Sequence, residues 1–313
     1  MTFPVLPSVR ALISQRCVAA FNETGRTLSS RGLIEAAHRS DAVILTATDR
    51  VDRDLLQQLP PGIQAIATYS VGYDHIDLDC AAERGLAVLN TPDVLTEAVA
   101  ELAIFLMIGA ARRATESVDL LRSRRWTGWT PVQLPGVQLS GNRLGIIGMG
   151  RIGSAVAQRA RALGMEIHYT KTNRLSPQEE QAAIYHSEVE DVLAASQFLL
   201  LSCPSTPRTR GFLNRQRIAL LPDGAIVINV ARGDVVDDDS LVEALAAGKL
   251  RAAGLDVFAN EPQLDERYFD LANVFMTPHI GSSTLEAREA MARLLLDGLD
   301  ELDRGSWPPN RLV

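Results

Sequence analysis

The chain has 313 residues, of which 46% are hydrophobic and 22% are charged, a composition typical of folded globular proteins and not of disordered chains. This length predicts about two domains. The 31 Lys and Arg residues stand against 38 Asp and Glu residues, giving a formal net charge of −7. That balance argues against nucleic-acid binding, because a phosphate backbone is normally met by a net basic surface.

The cysteine pattern and the apolar runs indicate in which cellular compartment the protein is expected. Three cysteines (Cys17, Cys80 and Cys203) are widely spaced without a CxxC pair, so a disulfide scaffold and a metal site are both disfavoured. The longest apolar run, Leu102–Ala111, is too short to cross a bilayer as a helix. Segment 1–16 has no basic n-region and does not look like a signal peptide. We therefore expect a cytoplasmic protein without a membrane partner.

Short apolar runs alternate with amphipathic stretches along almost the whole chain, which predicts βαβ units and parallel sheets. The predicted strands are, in chain order, Ala42–Leu45, Gln64–Thr68, Leu86–Asn90, Leu144–Ile147, Glu166–Tyr169, Phe198–Ser202, Ala225–Val230, Gly254–Phe258 and Asn273–Thr277. Helical periodicity is clearest over Ser154–Leu163, Ser240–Ala247 and Leu285–Leu302. Another helix carries the apolar run between Glu97 and Arg113, and its all-round hydrophobicity predicts burial in the core or in a subunit interface.

A glycine-rich turn, Gly148-Met149-Gly150-Arg151-Ile152-Gly153, lies between a predicted strand and a predicted helix. A bare GxGxxG motif is weakly specific, but in a strand–turn–helix context it is the dinucleotide fingerprint. Gly148 permits the tight turn, Gly150 lets the backbone approach a pyrophosphate, and Gly153 lets the helix pack closely on the strand. The helix N-terminus adds amide donors for the phosphates. These six residues are the predicted pyrophosphate site.

The fingerprint also requires an acid at the end of the second strand, where it binds the ribose hydroxyls. Lys171 stands there instead, in the run Lys171-Thr172-Asn173-Arg174, and the next acid is Glu179. Such a cluster suits a 2′-phosphate, which favours NADP(H) over NAD(H). The alternative is a solvated polar loop that accepts either cofactor.

From about Tyr69 to Val313 the chain resembles the D-isomer-specific 2-hydroxyacid dehydrogenases. The glycine fingerprint is joined, in the family's order, by motifs at 70–77, 90–97, 203–204, 229–234, 254–258, 261–262 and 277–282. Within the family the chain is most similar to the NADPH-dependent glyoxylate/hydroxypyruvate reductases. This similarity rests on the loop after the second strand and on the final segment Pro308–Val313.

The resemblance implies an α/β fold of two doubly wound parallel-sheet domains, a Rossmann dinucleotide-binding domain inserted in a flavodoxin-like catalytic domain. We expect the catalytic domain over 1–97 plus 287–313 and the NAD(P)-binding domain over 98–286. A homodimer is also implied, with the helix Ala98–Ala111 and the Trp126–Trp129 loop contributing to its interface.

Reduction of a 2-keto acid needs a clamp for the carboxylate and a proton donor for the ketone oxygen. Arg232 follows a predicted buried strand and has a planar guanidinium that suits a carboxylate. His279 follows another strand, at the sheet edge where open α/β sheets place ligands, and imidazole is the usual general acid near neutral pH. An isolated histidine is more often structural, but the resemblance pairs His279 with Glu261, which orients the ring and favours its protonated form.

Further site residues come from the resemblance. The backbone amides of Val71 and Gly72 are expected to bind the substrate carboxylate, unless this segment is a plain strand-end turn. Asp256, an acid in a predicted apolar strand, is expected to accept the nicotinamide carboxamide. Trp129 either reaches the partner subunit's substrate pocket or serves as an interface anchor. The remaining residues expected near the cofactor are Cys203, Pro204, Thr209, Val230, Ala231 and Gly281, together with Arg232 and His279.

We therefore expect an oxidoreductase that reduces a short 2-keto acid of the glyoxylate or hydroxypyruvate type to the D-2-hydroxy acid with NADPH. NAD(H) is the alternative cofactor, and which keto acid is the substrate stays open. Glu261 argues against a formate dehydrogenase, where glutamine is expected. A phosphoglycerate dehydrogenase-like enzyme, another NAD-dependent family member and a dinucleotide-sensing corepressor of the same fold remain alternatives.

Overall fold

The computed structural model describes residues 1–313 and divides into two compact units. The first unit comprises Met1–Thr96 and Ser282–Val313, and the second comprises Glu97–Gly281. The expected domain boundaries lie close to these, one residue away at the first crossing and five residues away at the second. The boundary at the end of the second unit lies just after His279, so this end of the unit carries a predicted site residue.

The first unit contains a three-stranded parallel sheet with order β1-β2-β3, in which Ala42 lies opposite Ala65 and Ala65 lies opposite Ala87. Its elements are α1 (Pro7–Arg16), α2 (Ser30–Ala37), β1 (Ala42–Leu45), α3 (Arg53–Gln58), β2 (Ala65–Thr68), α4 (Leu78–Glu83), β3 (Ala87–Leu89) and α12 (Leu285–Asp303).

Local sequence signals explain where several of these helices begin. Side-chain oxygens accept a backbone N–H three residues ahead, which satisfies donors that a helix start leaves unpaired. These capping residues are Ser29 for α2, Asp52 for α3, Asp77 for α4 and Thr284 for α12. The last helix lies against the first, where Arg16 pairs with Asp297 at 2.7 Å and with Asp300 at 2.5 Å.

The second unit contains a seven-stranded, entirely parallel sheet with order β10-β9-β8-β7-β4-β5-β6. Its helices are α5 (Thr96–Ala111), α6 (Ala114–Arg122), α7 (Arg151–Ala162), α8 (Pro177–Glu180), α9 (Val189–Ala195), α10 (Arg215–Leu220) and α11 (Asp238–Ala246), with 3₁₀ turns at Gly233–Val235 and Glu266–Asp270. Its strands are β4 (Arg143–Ile147), β5 (Glu166–Thr170), β6 (Ile184–Tyr185), β7 (Phe198–Leu201), β8 (Ala225–Asn229), β9 (Leu250–Leu255) and β10 (Val274–Met276).

The strand order reverses at β4, which pairs with β5 on one side and with β7 on the other. Such a reversal leaves a crevice at the carboxyl ends of the two strands, where open α/β sheets bind their ligands. The glycine-rich turn directly follows β4, so the fold places it at this crevice. The predicted α/β architecture with parallel sheets is confirmed.

One strand was misplaced in the sequence-based prediction, and another was not predicted. The strand expected over Gly254–Phe258 is β9, which begins at Leu250 and ends at Leu255. Arg251, Ala252 and Ala253 are not strong strand formers, and this composition concealed the first half of the strand. Asp256 consequently follows the strand and is not inside it. The two-residue strand β6 was not predicted, because it is too short to show a period.

Helix α5 is buried along most of its length, as its apolar sequence predicts, but Phe105 and Ile108 remain 51% and 40% exposed. Neither this helix nor any other is both long and apolar enough to span a bilayer.

Candidate active site

The glycine-rich turn has the geometry that a dinucleotide requires. Gly148 adopts φ of 99°, and a Cβ there would lie 2.7 Å from the backbone nitrogen of Cys203. A Cβ on Gly153 would lie 2.5 Å from the Gly148 carbonyl oxygen, so helix α7 packs directly on the turn. A Cβ on Gly150, in contrast, would meet nothing within 4 Å. The open space above Gly150, at the N-terminus of α7, is where a pyrophosphate fits.

Arg232 lies in the segment after β8, and its backbone is held by the last strand residue. The Asn229 side chain accepts the Ala231 N–H and donates to the Arg232 carbonyl oxygen, both at 3.0 Å. The next residue, Gly233, is pressed against the backbone of Phe258, because an added Cβ would lie 1.8 Å from its carbonyl carbon. This close approach brings the Arg232 segment against the loop that carries Glu261.

His279 and Glu261 meet directly. The His279 Nδ1 donates to Glu261 Oε2 at 2.7 Å, while Glu261 Oε1 accepts the N–H of Phe258 at 2.8 Å. Burial raises the pKa of Glu261, but the hydrogen bond and charge of His279, the Phe258 amide and the charge of Arg232 together lower it below its ordinary value. Glu261 is therefore a carboxylate at neutral pH. Since Nδ1 is occupied, Nε2 is the nitrogen of His279 that can exchange a proton with a bound molecule.

Asp256 organises the segment around His279. Its Oδ1 accepts from the Thr277 hydroxyl at 2.6 Å and from the Ile280 N–H at 2.8 Å, and its Oδ2 accepts the Gly281 N–H at 2.8 Å. The residue is 1% exposed, and burial raises its pKa although these three donors oppose the shift. A buried carboxylate with both oxygens engaged is the arrangement that fixes a loop.

The chain is similar to known proteins over most of its length. The family model for the NAD-binding domain of D-isomer specific 2-hydroxyacid dehydrogenases matches residues 104–281. The glycerate dehydrogenase of Hyphomicrobium methylovorum is 46% identical over 276 residues, covering 88% of this chain and 86% of that protein. The glyoxylate reductase of Thermococcus litoralis is 43% identical over 282 residues, covering 89% of this chain and 85% of that protein.

A solved structure extends the agreement to the fold. The NADPH-dependent glyoxylate/hydroxypyruvate reductase of Sinorhizobium meliloti, in complex with NADP and malonate, superposes with a TM-score of 0.88 at 30% identity. The superposition covers 99% of this chain and 95% of that one. The chain belongs to the D-isomer-specific 2-hydroxyacid dehydrogenase family.

In this dehydrogenase the loop after β5 is less cationic than its sequence suggests. Arg174 donates through Nε to Glu180 Oε1 at 2.7 Å and through Nη2 to Glu180 Oε2 at 3.1 Å. Lys171 is half-buried, whereas Thr172 and Asn173 are exposed. Glu180 lies beyond the expected position of an acid, and nothing in the sequence signals that its side chain returns to Arg174.

The residues expected near adenine and phosphates differ in what their side chains can do. Thr209 donates to the Pro204 carbonyl oxygen at 2.6 Å and accepts the Thr206 N–H at 2.8 Å, so its hydroxyl closes its own turn. Cys203 is buried beside Gly148, and burial raises the pKa of its thiol to about 11. The side chains of Met149, Val230 and Ala231 are buried, which leaves the backbone of these residues to meet a cofactor.

In the first unit of the dehydrogenase, side chains fix the turn that contains Val71 and Gly72. The Asn90 amide donates to the Val71 carbonyl oxygen at 2.9 Å, and the Ser70 hydroxyl donates to the Gly72 carbonyl oxygen at 2.6 Å. Because a peptide's N–H points opposite to its carbonyl, the Asn90 contact sets the direction of the Gly72 N–H. Nothing in the sequence signals that the Asn90 side chain turns to Val71.

Proposed function

We propose that this dehydrogenase reduces a short 2-keto acid of the glyoxylate or hydroxypyruvate type to the D-2-hydroxy acid, using NADPH. The observation that carries the proposal is the His279–Glu261 pair, 2.7 Å apart, with the Arg232 charge acting on the same carboxylate. A proton donor and a guanidinium that act on one carboxylate supply the two functions that a 2-keto acid requires. The D configuration rests on the family alone.

Each residue has a separate part in this proposal. The reduced nicotinamide supplies the hydride when it is bound. His279 donates a proton from Nε2 to the ketone oxygen, and Glu261 stabilises the charged ring and holds its orientation. Arg232 binds the substrate carboxylate by its planar guanidinium. The amides of Val71 and Gly72 are further carboxylate donors, in an orientation that Ser70 and Asn90 support.

The proposed preference for NADPH rests on the loop after β5, which has Lys171 where NAD enzymes have an acid. The Sinorhizobium meliloti relative, which is NADPH-dependent and holds NADP, is consistent with this preference. Asp256 is also proposed to position the segment that carries His279, in addition to its expected contact with the nicotinamide amide. Both of its carboxylate oxygens already accept hydrogen bonds from the 277–281 segment.

We also propose a homodimer through an exposed apolar surface of the second unit. It comprises one face of α5 and α6 and the loop after α6, where the exposed apolar side chains are Phe105, Ile108, Val118, Leu121, Trp126, Trp129 and Val132. Isolated exposed apolar residues are common, but seven within 28 positions of the chain are a concentration that favours an interface. Trp129, 79% exposed, is the candidate to reach the partner subunit's pocket.

Steady-state oxidation of NADPH against a panel of 2-keto acids tests the function, with His279→Ala and Arg232→Lys as variants. We expect His279→Ala to lower kcat by roughly 10²–10⁴ with cofactor binding intact. Arg232→Lys should lose much of kcat/KM, because an ammonium cannot bind a carboxylate at two points. Turnover near wild type in either variant contradicts the corresponding assignment. Light scattering at micromolar concentration tests the dimer, and a monomer mass rejects it.

A further inference from the structure

Glu180, at the end of α8, is a buried carboxylate beneath the loop that follows β5. It is only 7% exposed, although it lies in a segment that is otherwise open to solvent. Its Oε1 accepts the Tyr169 hydroxyl at 2.6 Å and Arg174 Nε at 2.7 Å, and its Oε2 accepts Arg174 Nη2 at 3.1 Å. These contacts lower the pKa of Glu180 to about 2, chiefly through the hydrogen bonds from Arg174 and Tyr169. Glu180 therefore carries its charge at neutral pH.

The pairing consumes one side of the Arg174 guanidinium and leaves the other side available. A guanidinium has five N–H donors, and the side-on pair with Glu180 uses one from Nε and one from Nη2. The Nη1 group and the remaining Nη2 proton point away from the carboxylate, on a side chain that is 61% exposed. Arg174 also lies over the Tyr185 ring, with its central carbon 5.3 Å from the ring centroid. The guanidinium is thus held in place while its net charge is offset.

We propose that Glu180 is a specificity-determining residue, which weakens the discrimination between NADPH and NADH by neutralising Arg174. The inference rests on the proposed binding of the adenosine ribose beside the loop after β5. A 2′-phosphate that approaches Arg174 meets a neutral ion pair and not a free cation, so it gains less Coulomb attraction than the sequence suggests. A cofactor that lacks this phosphate is indifferent to the same pairing.

A purely structural role of Glu180 makes a different prediction. The Tyr169 hydroxyl accepts the Leu175 N–H at 3.2 Å and donates its own proton to Glu180. In a purely structural role, this hydroxyl needs only a neutral hydrogen-bond acceptor at position 180. A glutamine can supply that acceptor without the charge. Stability would then change with position 180, but the relative affinity for the two cofactors would not.

The experiment is calorimetric titration of the folded enzyme with NADP⁺ and with NAD⁺, for wild type and Glu180→Gln. We expect the Kd for NADP⁺ to fall about three- to tenfold in Glu180→Gln, the range for one unit charge acting across a few ångströms in partly solvated surroundings. The Kd for NAD⁺ should change less than about twofold. An unchanged or higher Kd for NADP⁺ overturns the proposal.

Two further variants separate charge from structure. In an Arg174→Ala background, Glu180→Gln should still lower the Kd for NADP⁺ relative to that for NAD⁺, since the charge of Glu180 then acts on the 2′-phosphate without a cation beside it. An unchanged ratio there overturns the assigned mechanism. Tyr169→Phe removes the neutral contact and keeps the ion pair, so it should lower the melting temperature and leave the ratio unchanged.

The outcome is independent of the proposed cofactor preference. A wild-type enzyme that binds NAD⁺ more tightly refutes that preference, yet the shift on Glu180→Gln is measured against the wild-type ratio whatever its value. If Glu180→Gln does not fold, the double variant Arg174→Ala with Glu180→Gln gives the second reading, because it removes both members of the neutral ion pair. A loss of NADP⁺ affinity of about threefold or less agrees with a neutralised Arg174, and a larger loss contradicts it.

Discussion

Asp256 holds the backbone of His279 through its own main chain and through its carboxylate. The Asp256 carbonyl oxygen accepts the His279 N–H at 2.8 Å, and the carboxylate accepts the two N–H groups that follow, from Ile280 and Gly281. His279 has φ of 52°, in the left-handed region that costs a residue other than glycine about 1 kcal/mol. Such a conformation persists only where neighbouring contacts enforce it, and Asp256 supplies three of them.

Replacing Asp256 with alanine should therefore affect stability and turnover together. The Thr277 hydroxyl and the Ile280 and Gly281 amides lose their acceptor, which we expect to reduce the free energy of unfolding by about 2–4 kcal/mol. The kcat should fall at least about tenfold, because the segment that fixes His279 relaxes. Urea unfolding and steady-state kinetics measure both effects.

Asp238→Ala is the matched control for that change. Asp238 is another acid whose pKa burial raises, but its carboxylate accepts only the Tyr268 hydroxyl, at 2.6 Å, and it lies on α11. We expect this variant to lose stability without a loss of kcat. If Asp256→Ala retains wild-type kcat, Asp256 does not position His279.

The contact between Glu261 and His279 predicts a pH dependence of stability. The pKa of Glu261 is lowered in the folded protein, whereas an unfolded glutamate has a pKa of about 4.3. A carboxylate with a lowered folded pKa stabilises the protein above the unfolded pKa, and this stabilisation is lost as the pH falls through the folded value. Glu261→Gln should therefore cost about 1 kcal/mol at pH 6 and progressively less below pH 4.

Unfolding by urea at several pH values measures the difference between wild type and Glu261→Gln. Glu179→Gln serves as the control. Its pKa is also lowered, but by Ser176 in an exposed turn that is remote in sequence from His279. A Glu261→Gln deficit that grows as the pH falls has the wrong sign for the assigned interaction.

The residues that the sequence predicted well are those whose signal is local. The turn at Gly148–Gly153 was recognisable because it follows an apolar strand and opens a helix, and the helix expected over Leu285–Leu302 was recognisable from its own periodicity. Strand β9 was misplaced because small residues have weak strand preference, and this shifted the environment assigned to Asp256.

What sequence reasoning missed depends on side chains that meet across the fold. Asn90 reaches the Val71 carbonyl oxygen from 19 positions away along the chain. Glu180 returns to Arg174 from α8, and no periodicity or spacing encodes which way its side chain turns. His168 and His186, which carried no readable signal, lie with Nδ1 and Nε2 2.9 Å apart. Such pairings are fixed by tertiary packing, and a single sequence contains no direct record of them.

Gly233 provides a prediction about packing at the site. A Cβ at this position would overlap the Phe258 carbonyl carbon and the Ala259 nitrogen, at 1.8 Å and 2.1 Å. Since backbone atoms cannot rotate aside as a side chain can, Gly233→Ala should force the Arg232 segment away from the Glu261 loop. We expect a loss of at least about 2 kcal/mol in unfolding free energy and a large loss of kcat/KM.

Gly62→Ala is the control, because a Cβ there meets nothing within 4 Å. It should change the free energy of unfolding by less than about 1 kcal/mol. Thermal unfolding with kinetics for the two alanine variants decides the matter, and equal effects at positions 233 and 62 contradict the assigned contact.

Lys171 and Arg174 should contribute unequally to NADPH binding. Arg174 is paired with Glu180, whereas Lys171 acts on Glu179 only through its charge and keeps its ammonium donors available. A charge-assisted hydrogen bond to a 2′-phosphate contributes roughly 1.5–3 kcal/mol, or about 10- to 150-fold in affinity. Lys171→Ala should therefore raise the KM for NADPH at least about tenfold. Removing the ion pair as a whole, in Arg174→Ala with Glu180→Gln, should raise it threefold or less, with little change for NADH in either case. Lys171→Asp with Arg174→Ala should reverse the preference, because the aspartate repels the phosphate and accepts the ribose hydroxyls.

Added salt should weaken the binding of NADPH more than that of NADH in the wild type, because it screens the attraction between Lys171 and the 2′-phosphate. This difference should be smaller in Lys171→Ala. A wild-type kcat/KM for NADH that equals or exceeds that for NADPH shows that Lys171 does not select the phosphate.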